Sequence, residues 1–182
     1  SDSEEKKGES GRMVERNLFP IIRDIVEADT PFLGACYGLG ALVKMLGGTV
    51  SKNSFAEAAG PTDITITEAG KSDPLLAGLA SPFRAFTGHK EACESVPEGA
   101  TLLATSPACP VQMIRVKRNV YATQFHPELD PEGICVRVDA YRHHGYFKPE
   151  EAENLKAACL REAVTVPMDI LRRFVDLARR LS

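Results

Sequence analysis

The chain has 182 residues, of which 43% are hydrophobic, and its formal net charge is -3. This length and apolar content suffice for one domain with a sizeable core, so we expect a single domain over residues 1–182. Because the charge shows no basic excess, it argues against a nucleic-acid partner and favours a small polar substrate.

The cysteines and the apolar runs exclude two further classes of protein. The five cysteines are odd in number and include no Cys-x-x-Cys pair. This argues against a disulfide framework and a zinc site, and it favours a reducing, cytoplasmic location. No apolar run approaches the length of a membrane span, so we expect no membrane partner.

The first predicted elements are a helix, a short strand and a second helix. Apolar residues recur at helical spacing over residues 10–28, although Pro20 should kink or restart that helix. Thr30-Pro31 ends it, and short apolar residues then lead into a glycine-containing turn. The helix that leaves this turn is expected to stop at Gly47-Gly48.

Strands are predicted for the middle of the chain and helices for its end. The strand candidates cover residues 62–67, 83–86, 101–105, 111–116 and 120–125, the first of which alternates cleanly, and residues 117–119 form a tight hairpin. A helical turn is expected from Asp73, and His89 is expected in a loop after the second of these strands. Helices begun by proline-containing caps are predicted near residues 131–144, 149–161 and 167–181.

The first candidate for chemistry is the turn Gly34-Ala35-Cys36-Tyr37-Gly38. Strand, tight turn and helix in this order indicate a nucleophile elbow, where glycines flank the nucleophile because a Cβ would collide with nearby backbone. The sulfur of Cys36 would then lie at a helix N-terminus, where the dipole favours the thiolate. The same pattern also arises by chance around a cysteine that is simply a small buried apolar residue.

The second candidate is the run Gln124-Phe125-His126-Pro127-Glu128. Residues two apart in an extended chain face the same way, so His126 and Glu128 project side by side. A thiolate needs a base to take its proton, and the base needs a third group to fix its tautomer. Cys36, His126 and Glu128 would supply these roles. In the alternative reading, His126 caps a strand and Glu128 is a solvated acid.

These two motifs together resemble the class I (triad) glutamine amidotransferase family, and the chain is similar to stand-alone relatives of the amidotransferase domain of GMP synthases. The resemblance implies an α/β fold with three layers, in which a largely parallel sheet of flavodoxin-like type is flanked by helices. It also implies that Cys36, His126 and Glu128 form the catalytic triad.

The resemblance further implies the substrate contacts, with two departures from the family pattern. Tyr37, Gly38, Gly40 and the backbone around His89 would contact glutamine, but family members usually have glutamine where this chain has Gly40. The family also has several tens of preceding residues, including a glycine-rich loop that donates one oxyanion N–H. Since the chain opens on Ser1 without them, we expect an N-terminally incomplete domain with Tyr37 as its oxyanion donor.

Three functional hypotheses follow from the motifs and the resemblance. The first is hydrolysis of the glutamine amide through a γ-glutamyl thioester on Cys36, with ammonia passed to an unidentified acceptor; its possible partner is a separate synthetase subunit. The second is a γ-glutamyl peptide hydrolase, which uses the same triad and which Gly40 would suit by enlarging the pocket. The third is a non-catalytic binding or regulatory protein, favoured by the absent front segment. No metal or cofactor is expected, because a helix end accounts for His143-His144.

Overall fold

The structure, a computed structural model, describes residues 9–52, 54–144 and 146–181. The helices are α1 (Glu9–Ala28), α2 (Tyr37–Met45), α3 (Glu68–Lys71), α4 (Pro131–Ala140), α5 (Ala152–Cys159) and α6 (Val166–Leu181). The strands are β1 (Phe32–Ala35), β2 (Val50–Ser51), β3 (Glu57–Ile66), β4 (Phe83–His89), β5 (Ala92–Cys93), β6 (Ala100–Thr105), β7 (Met113–Val116) and β8 (Val120–Thr123). A short 3₁₀ turn, Pro149–Glu151, precedes α5.

Six strands form the main sheet, in the order β1-β8-β7-β6-β3-β4, and β2 pairs separately with β5. Strands β1 and β8 run parallel, with Phe32 opposite Val120 and Ala35 opposite Thr123. The remaining neighbours in this sheet pair antiparallel. The parallel pairing sets the carboxyl ends of β1 and β8 side by side at one edge of the sheet.

The expected α/β fold with a helix-flanked sheet is confirmed, but the strand directions require a correction. The sheet is mixed rather than largely parallel, because the consecutive strands β6, β7 and β8 turn back on one another through short connections. Such connections can join only antiparallel strands, whereas a parallel pair needs a long crossover. The predicted hairpin at residues 117–119 is one of these connections, and Lys117 adopts a φ of 52° there.

Helices cover both faces of the sheet. One buried cluster contains Ile22 of α1 and Leu42 of α2 together with Val120 of β8. A second buried cluster contains Tyr121 of β8 and Ile170 of α6. Alternate residues of a strand point to opposite faces, so these neighbouring β8 residues separate the two cores. The resulting three-layer arrangement is the one expected for an α/β fold.

Two local predictions differ from the structure. Helix α1 continues through Pro20 instead of restarting there. Pro20 lies on the exposed side of α1, while Leu18 and Ile22 on either side of it pack into the core and hold the helix together. His89 is the last residue of β4 rather than a loop residue, because it pairs with Glu57 of β3.

The remaining predicted elements agree with the structure within a few residues. Leu76 and Ala77 donate backbone hydrogen bonds to the carbonyl oxygen of Asp73, as expected for the predicted helical turn. Among the helices that the structure describes, none combines the length and apolar character that a membrane crossing requires.

Candidate active site

Cys36 occupies the tight turn between β1 and α2. Its φ of 49° and ψ of -94° are unusual for a residue with a side chain. The turn is held by two backbone hydrogen bonds, from Cys36 N to Thr123 O at 2.7 Å and from Gly40 N to Cys36 O at 3.1 Å. A Cβ on Gly34 would lie 3.1 Å from the Gly38 backbone, so the predicted need for glycine is confirmed at Gly34. It is wrong for Gly38, where a Cβ would meet no described atom within 4 Å.

His126 reaches the same edge of the sheet from β8. That strand ends at Thr123, opposite the last residue of β1, and His126 follows three residues later. The backbone N–H of His126 donates to Phe86 O at 2.9 Å, which fixes the chain next to β4. The two sequence motifs are thus brought together by the parallel pairing of β1 with β8.

The imidazole of His126 is oriented by Glu128, as the His-x-Glu spacing predicts. His126 Nδ1 lies 2.7 Å from Glu128 Oε1. Since a carboxylate can only accept, Nδ1 carries the proton, and Nε2 is left to take a proton from another group. Nε2 is buried and has no hydrogen-bond partner within the described part of the chain.

The charges around His126 favour its cationic form. Burial by itself would lower the pKa of His126, but Cys36 and then Glu128 outweigh burial and raise that pKa above its ordinary value. Cys36 is the strongest of the influences that raise this pKa, although Nε2 of His126 has no hydrogen-bond partner within the described part of the chain. A base of raised pKa beside a thiol is the arrangement that proton transfer between them requires.

Glu128 has a second charged neighbour that the sequence motifs did not indicate. Arg137 of α4 places Nη1 3.7 Å from Glu128 Oε1 and 3.2 Å from His126 Nδ1. Burial would raise the pKa of Glu128, but the hydrogen bond from His126 and the charge of Arg137 lower it below its ordinary value. Arg137 lies eleven positions beyond His126 on another element, so no local pattern connects the two residues.

Cys36 opens into a cavity at the start of α2. Of the predicted substrate-contacting residues, Tyr37 and Gly40 line this cavity, whereas Gly38 and His89 are not among its lining residues. Gln124, which the motif contained but to which no role was assigned, also lines it and places Nε2 3.7 Å from Cys36 Sγ. The lining residues are Glu15, Cys36, Tyr37, Gly40, Ala41, Lys44, Val50, Glu91 and Gln124.

The side chain of His89 belongs to a buried polar cluster instead. Its Nε2 lies 2.8 Å from Glu57 Oε2 and its Nδ1 lies 3.0 Å from Glu91 O. Each ring nitrogen of His89 thus faces an oxygen atom. Glu57 also accepts hydrogen bonds from Ser106 at 2.7 Å and from Gln112 at 2.6 Å. His89 therefore links β3 to the backbone of residue 91, which borders the cavity.

Glu57 and His89 also lie near the buried sulfur of Cys109. One ligand atom from each of the three residues falls within 4.8 Å of the others. The carboxylate of Glu57 is already engaged by hydrogen-bond donors, which a metal ion would have to displace. The expectation that the chain binds no metal remains a prediction.

Glu57→Gln is expected to lower the free energy of unfolding at pH 7 by about 3 kcal/mol, because an amide nitrogen would replace a buried carboxylate oxygen that accepts from Ser106 or Gln112. Burial would raise the pKa of Glu57, but hydrogen bonds from His89 and Ser106 hold it below its ordinary value of 4.5. The stabilisation is therefore present above that ordinary value and is lost as pH falls through the lower folded-state pKa. Urea unfolding at pH 7 and near pH 3.5 would measure it, and the difference from wild type should shrink at the lower pH.

The exposed Glu68→Gln is the matched control, since Glu68 pairs only with Lys71 at the surface among the contacts described. It should leave stability within a few tenths of a kcal/mol of wild type. A Glu57→Gln protein as stable as this control at pH 7 would contradict the role assigned to the buried carboxylate of Glu57.

Comparison with known proteins places these motifs in a family context. The model of the family described as glutamine amidotransferase class-I matches residues 10–134. The glutamine-hydrolysing GMP synthase of Lactobacillus delbrueckii subsp. bulgaricus is 36% identical over 123 residues, which are 67% of this chain and 23% of that protein. A glutamine-hydrolysing GMP synthase subunit of Natronomonas pharaonis is 33% identical over 105 residues, which are 57% of this chain and 55% of that protein.

These curated relatives are longer than the region they share with this chain. The match spans about a quarter of the first relative and about half of the second. Among solved structures, a glutamine amidotransferase from Thermotoga maritima aligns with 98% of this chain and 74% of its own, with a TM-score of 0.79 and 22% identity. At that identity, the likeness concerns the fold.

Proposed function

The chain belongs to the class-I glutamine amidotransferase family, and from this premise we propose that it hydrolyses the side-chain amide of glutamine through a γ-glutamyl thioester on Cys36. The observation that supports the proposal is that Cys36 and His126 follow the adjacent carboxyl ends of β1 and β8, with Glu128 2.7 Å from the imidazole of His126. Residues 90 positions apart in sequence supply a nucleophile and its base at one place.

The proposed reaction has two acyl-transfer steps. His126 Nε2 takes the proton of the Cys36 thiol as the sulfur attacks the amide carbon, and the imidazolium then gives that proton to the leaving ammonia. Water, deprotonated by the same nitrogen, attacks the thioester carbon, the C–S bond breaks to release glutamate, and Nε2 returns the proton to the sulfur of Cys36. Glu128 keeps the proton on Nδ1 and stabilises the imidazolium that forms in each step.

The negative charge of the tetrahedral intermediates needs donors near the nucleophile. The backbone N–H of Tyr37 is the first of α2, and we assign it as one such donor because helix N-terminal N–H groups face developing negative charge. The relatives whose names describe a single subunit of GMP synthase suggest where the ammonia goes. By analogy, a separate synthetase subunit would receive it.

A second candidate function is hydrolysis of γ-glutamyl peptides, and Gly40 is the observation that favours it. A Cβ at this position would have Val50 Cγ1, at 3.9 Å, as its nearest described neighbour. The cavity wall is therefore open where family members usually carry a glutamine side chain. A larger leaving group than ammonia could use this space.

Parallel assays of ammonia release from glutamine and of cleavage of glutathione would test the proposal. We expect faster turnover of glutamine, and we expect both activities to be absent from a Cys36→Ser protein. Preferential cleavage of glutathione would favour the peptide hydrolase. If the folded protein processes neither compound, the proposed function is wrong and a non-catalytic role is favoured.

A further inference from the structure

Gln124 lies beside the nucleophile, and the proposed triad does not use it. The residue is only 3% exposed, and its Nε2 lies 3.7 Å from Cys36 Sγ. Gln124 also lines the cavity into which Cys36 opens, whereas His126 and Glu128 are not among the lining residues of that cavity. A buried amide that contacts the reacting sulfur is in a position to act on the charge that forms there.

The backbone around Gln124 is fixed by hydrogen bonds to other strands and within its own turn. The N–H of Gln124 donates to Gln112 O at 2.8 Å, and Thr123 Oγ1 donates to Phe125 O at 2.9 Å. Phe125 itself is fully buried in the core. The amide is therefore held near Cys36 before any substrate enters, and a donor fixed in advance needs no reorganisation when charge develops.

The chemistry of an amide suits a group that must follow negative charge from one atom to another. The side-chain nitrogen of Gln124 carries two hydrogens and no net charge, so one N–H can contact the sulfur while the other points elsewhere. When Cys36 Sγ attacks a carbonyl carbon, an electron pair of the C=O bond moves to the oxygen, which then lies two bonds from the sulfur. A donor 3.7 Å from Sγ is close to the distance of about 2.7 to 3.1 Å from that oxygen at which an oxyanion donor acts.

We propose that the side-chain amide of Gln124 is an oxyanion donor in acyl transfer at Cys36, acting together with the backbone N–H of Tyr37. Tyr37 is the first residue of α2 and Gln124 directly follows β8, so the two donors come from separate elements. The parallel pairing of β1 with β8 brings these elements together. The assignment rests on the proposed function for its acyl-transfer chemistry, but it does not depend on which acyl compound is the natural substrate.

Two reactions of Cys36 distinguish an oxyanion donor from a group that serves only the sulfur. In acetylation by p-nitrophenyl acetate, the sulfur bonds to the carbonyl carbon, the oxygen takes the electron pair, and the intermediate then expels p-nitrophenolate. In alkylation by iodoacetamide, the sulfur bonds to carbon as iodide leaves, and no oxyanion forms. Both reactions need the thiolate of Cys36, and neither needs glutamine.

Gln124→Met is the test variant, because methionine has a similar length and no hydrogen-bond donor. Acetylation is measured as p-nitrophenolate release minus that of a Cys36→Ser protein, and alkylation by mass spectrometry of the peptide that contains Cys36. The ratio of the acetylation rate to the alkylation rate is expected to fall at least about tenfold, and kcat for glutamine about 10²-fold or more. Gln124→Leu replaces the test variant if circular dichroism shows that Gln124→Met does not fold.

Asn17→Met is the matched control, since it removes an amide at an exposed residue of α1. It should leave the ratio unchanged. An unchanged ratio in the Gln124 variant overturns the assignment, and so does an equal loss of both rates, which would show that Gln124 serves the thiolate or the fold. A lower ratio in a protein that releases no ammonia from glutamine would contradict the proposed function alone.

Discussion

Replacing Cys36 by serine is expected to lower kcat for glutamine hydrolysis by about 10⁴-fold or more, the loss typical of a nucleophile that acts with its base. A serine hydroxyl holds its proton far more tightly than a thiol, and the proposed mechanism requires a nucleophile that ionises easily beside its base. The substitution changes one atom, so the strained turn between β1 and α2 should be kept. The measurement is steady-state ammonia release, with circular dichroism to verify the fold.

His126→Asn is expected to produce a loss of similar size, and the double variant should lose no more than either single variant. Residues that act as one unit are non-additive, because removing one makes the other useless. Cys135→Ser is the matched control, since Cys135 lies on α4 with its sulfur 3.8 Å from the backbone oxygen of Lys156. Losses that multiply in the double variant would show that Cys36 and His126 act independently.

The second large effect is expected for Glu128→Gln, which should lower kcat by about 10² to 10⁴-fold, up to the loss seen when a triad acid becomes an amide. An amide can donate to Nδ1 and so stabilise the tautomer whose Nε2 already carries a proton. That tautomer cannot take the proton of Cys36. KM should change little, because Glu128 does not line the cavity at Cys36.

The titration of His126 provides a second readout for Glu128. Glu128 is one of the groups that raise the pKa of His126, so its replacement should move the imidazole titration, followed by NMR, to lower pH. The matched control is Glu132→Gln, the same charge-removing change at an exposed residue in the first turn of α4. It should change neither kcat nor the titration of His126. Unchanged turnover in the Glu128→Gln protein would remove Glu128 from the site.

Arg137 helps to keep the half-exposed carboxylate of Glu128 in position beside His126. The side chain of Glu128 is 45% exposed, so water competes for its oxygens. Arg137 approaches the same oxygen from α4 at 3.7 Å, while its charge works against protonation of His126. Arg137 thus stabilises the carboxylate of Glu128 and at the same time lowers the pKa of His126.

The local sequence determined the pieces of the site. Helical periodicity, glycine turns and alternating apolar residues predicted most elements within a few residues, because these signals act between residues that are close along the chain. The Cys36 turn and the spacing of His126 and Glu128 are equally local. Their agreement with a family pattern led to the proposed chemistry before any contact was known.

The tertiary structure decided which pieces meet and what surrounds them. The parallel pairing of β1 with β8 sets the turn at Cys36 beside the segment that leads to His126, and the antiparallel return of β6, β7 and β8 makes the sheet mixed. His89 lies at the end of β4 and not in the predicted loop, because it pairs with Glu57 of β3. Glu57 is 32 positions earlier in the chain. The ion pair of Lys44 with Glu15 and the contact of Arg137 with Glu128 likewise join side chains from different parts of the chain. Such contacts depend on how helices and strands pack, and no repeat or motif along the chain encodes them.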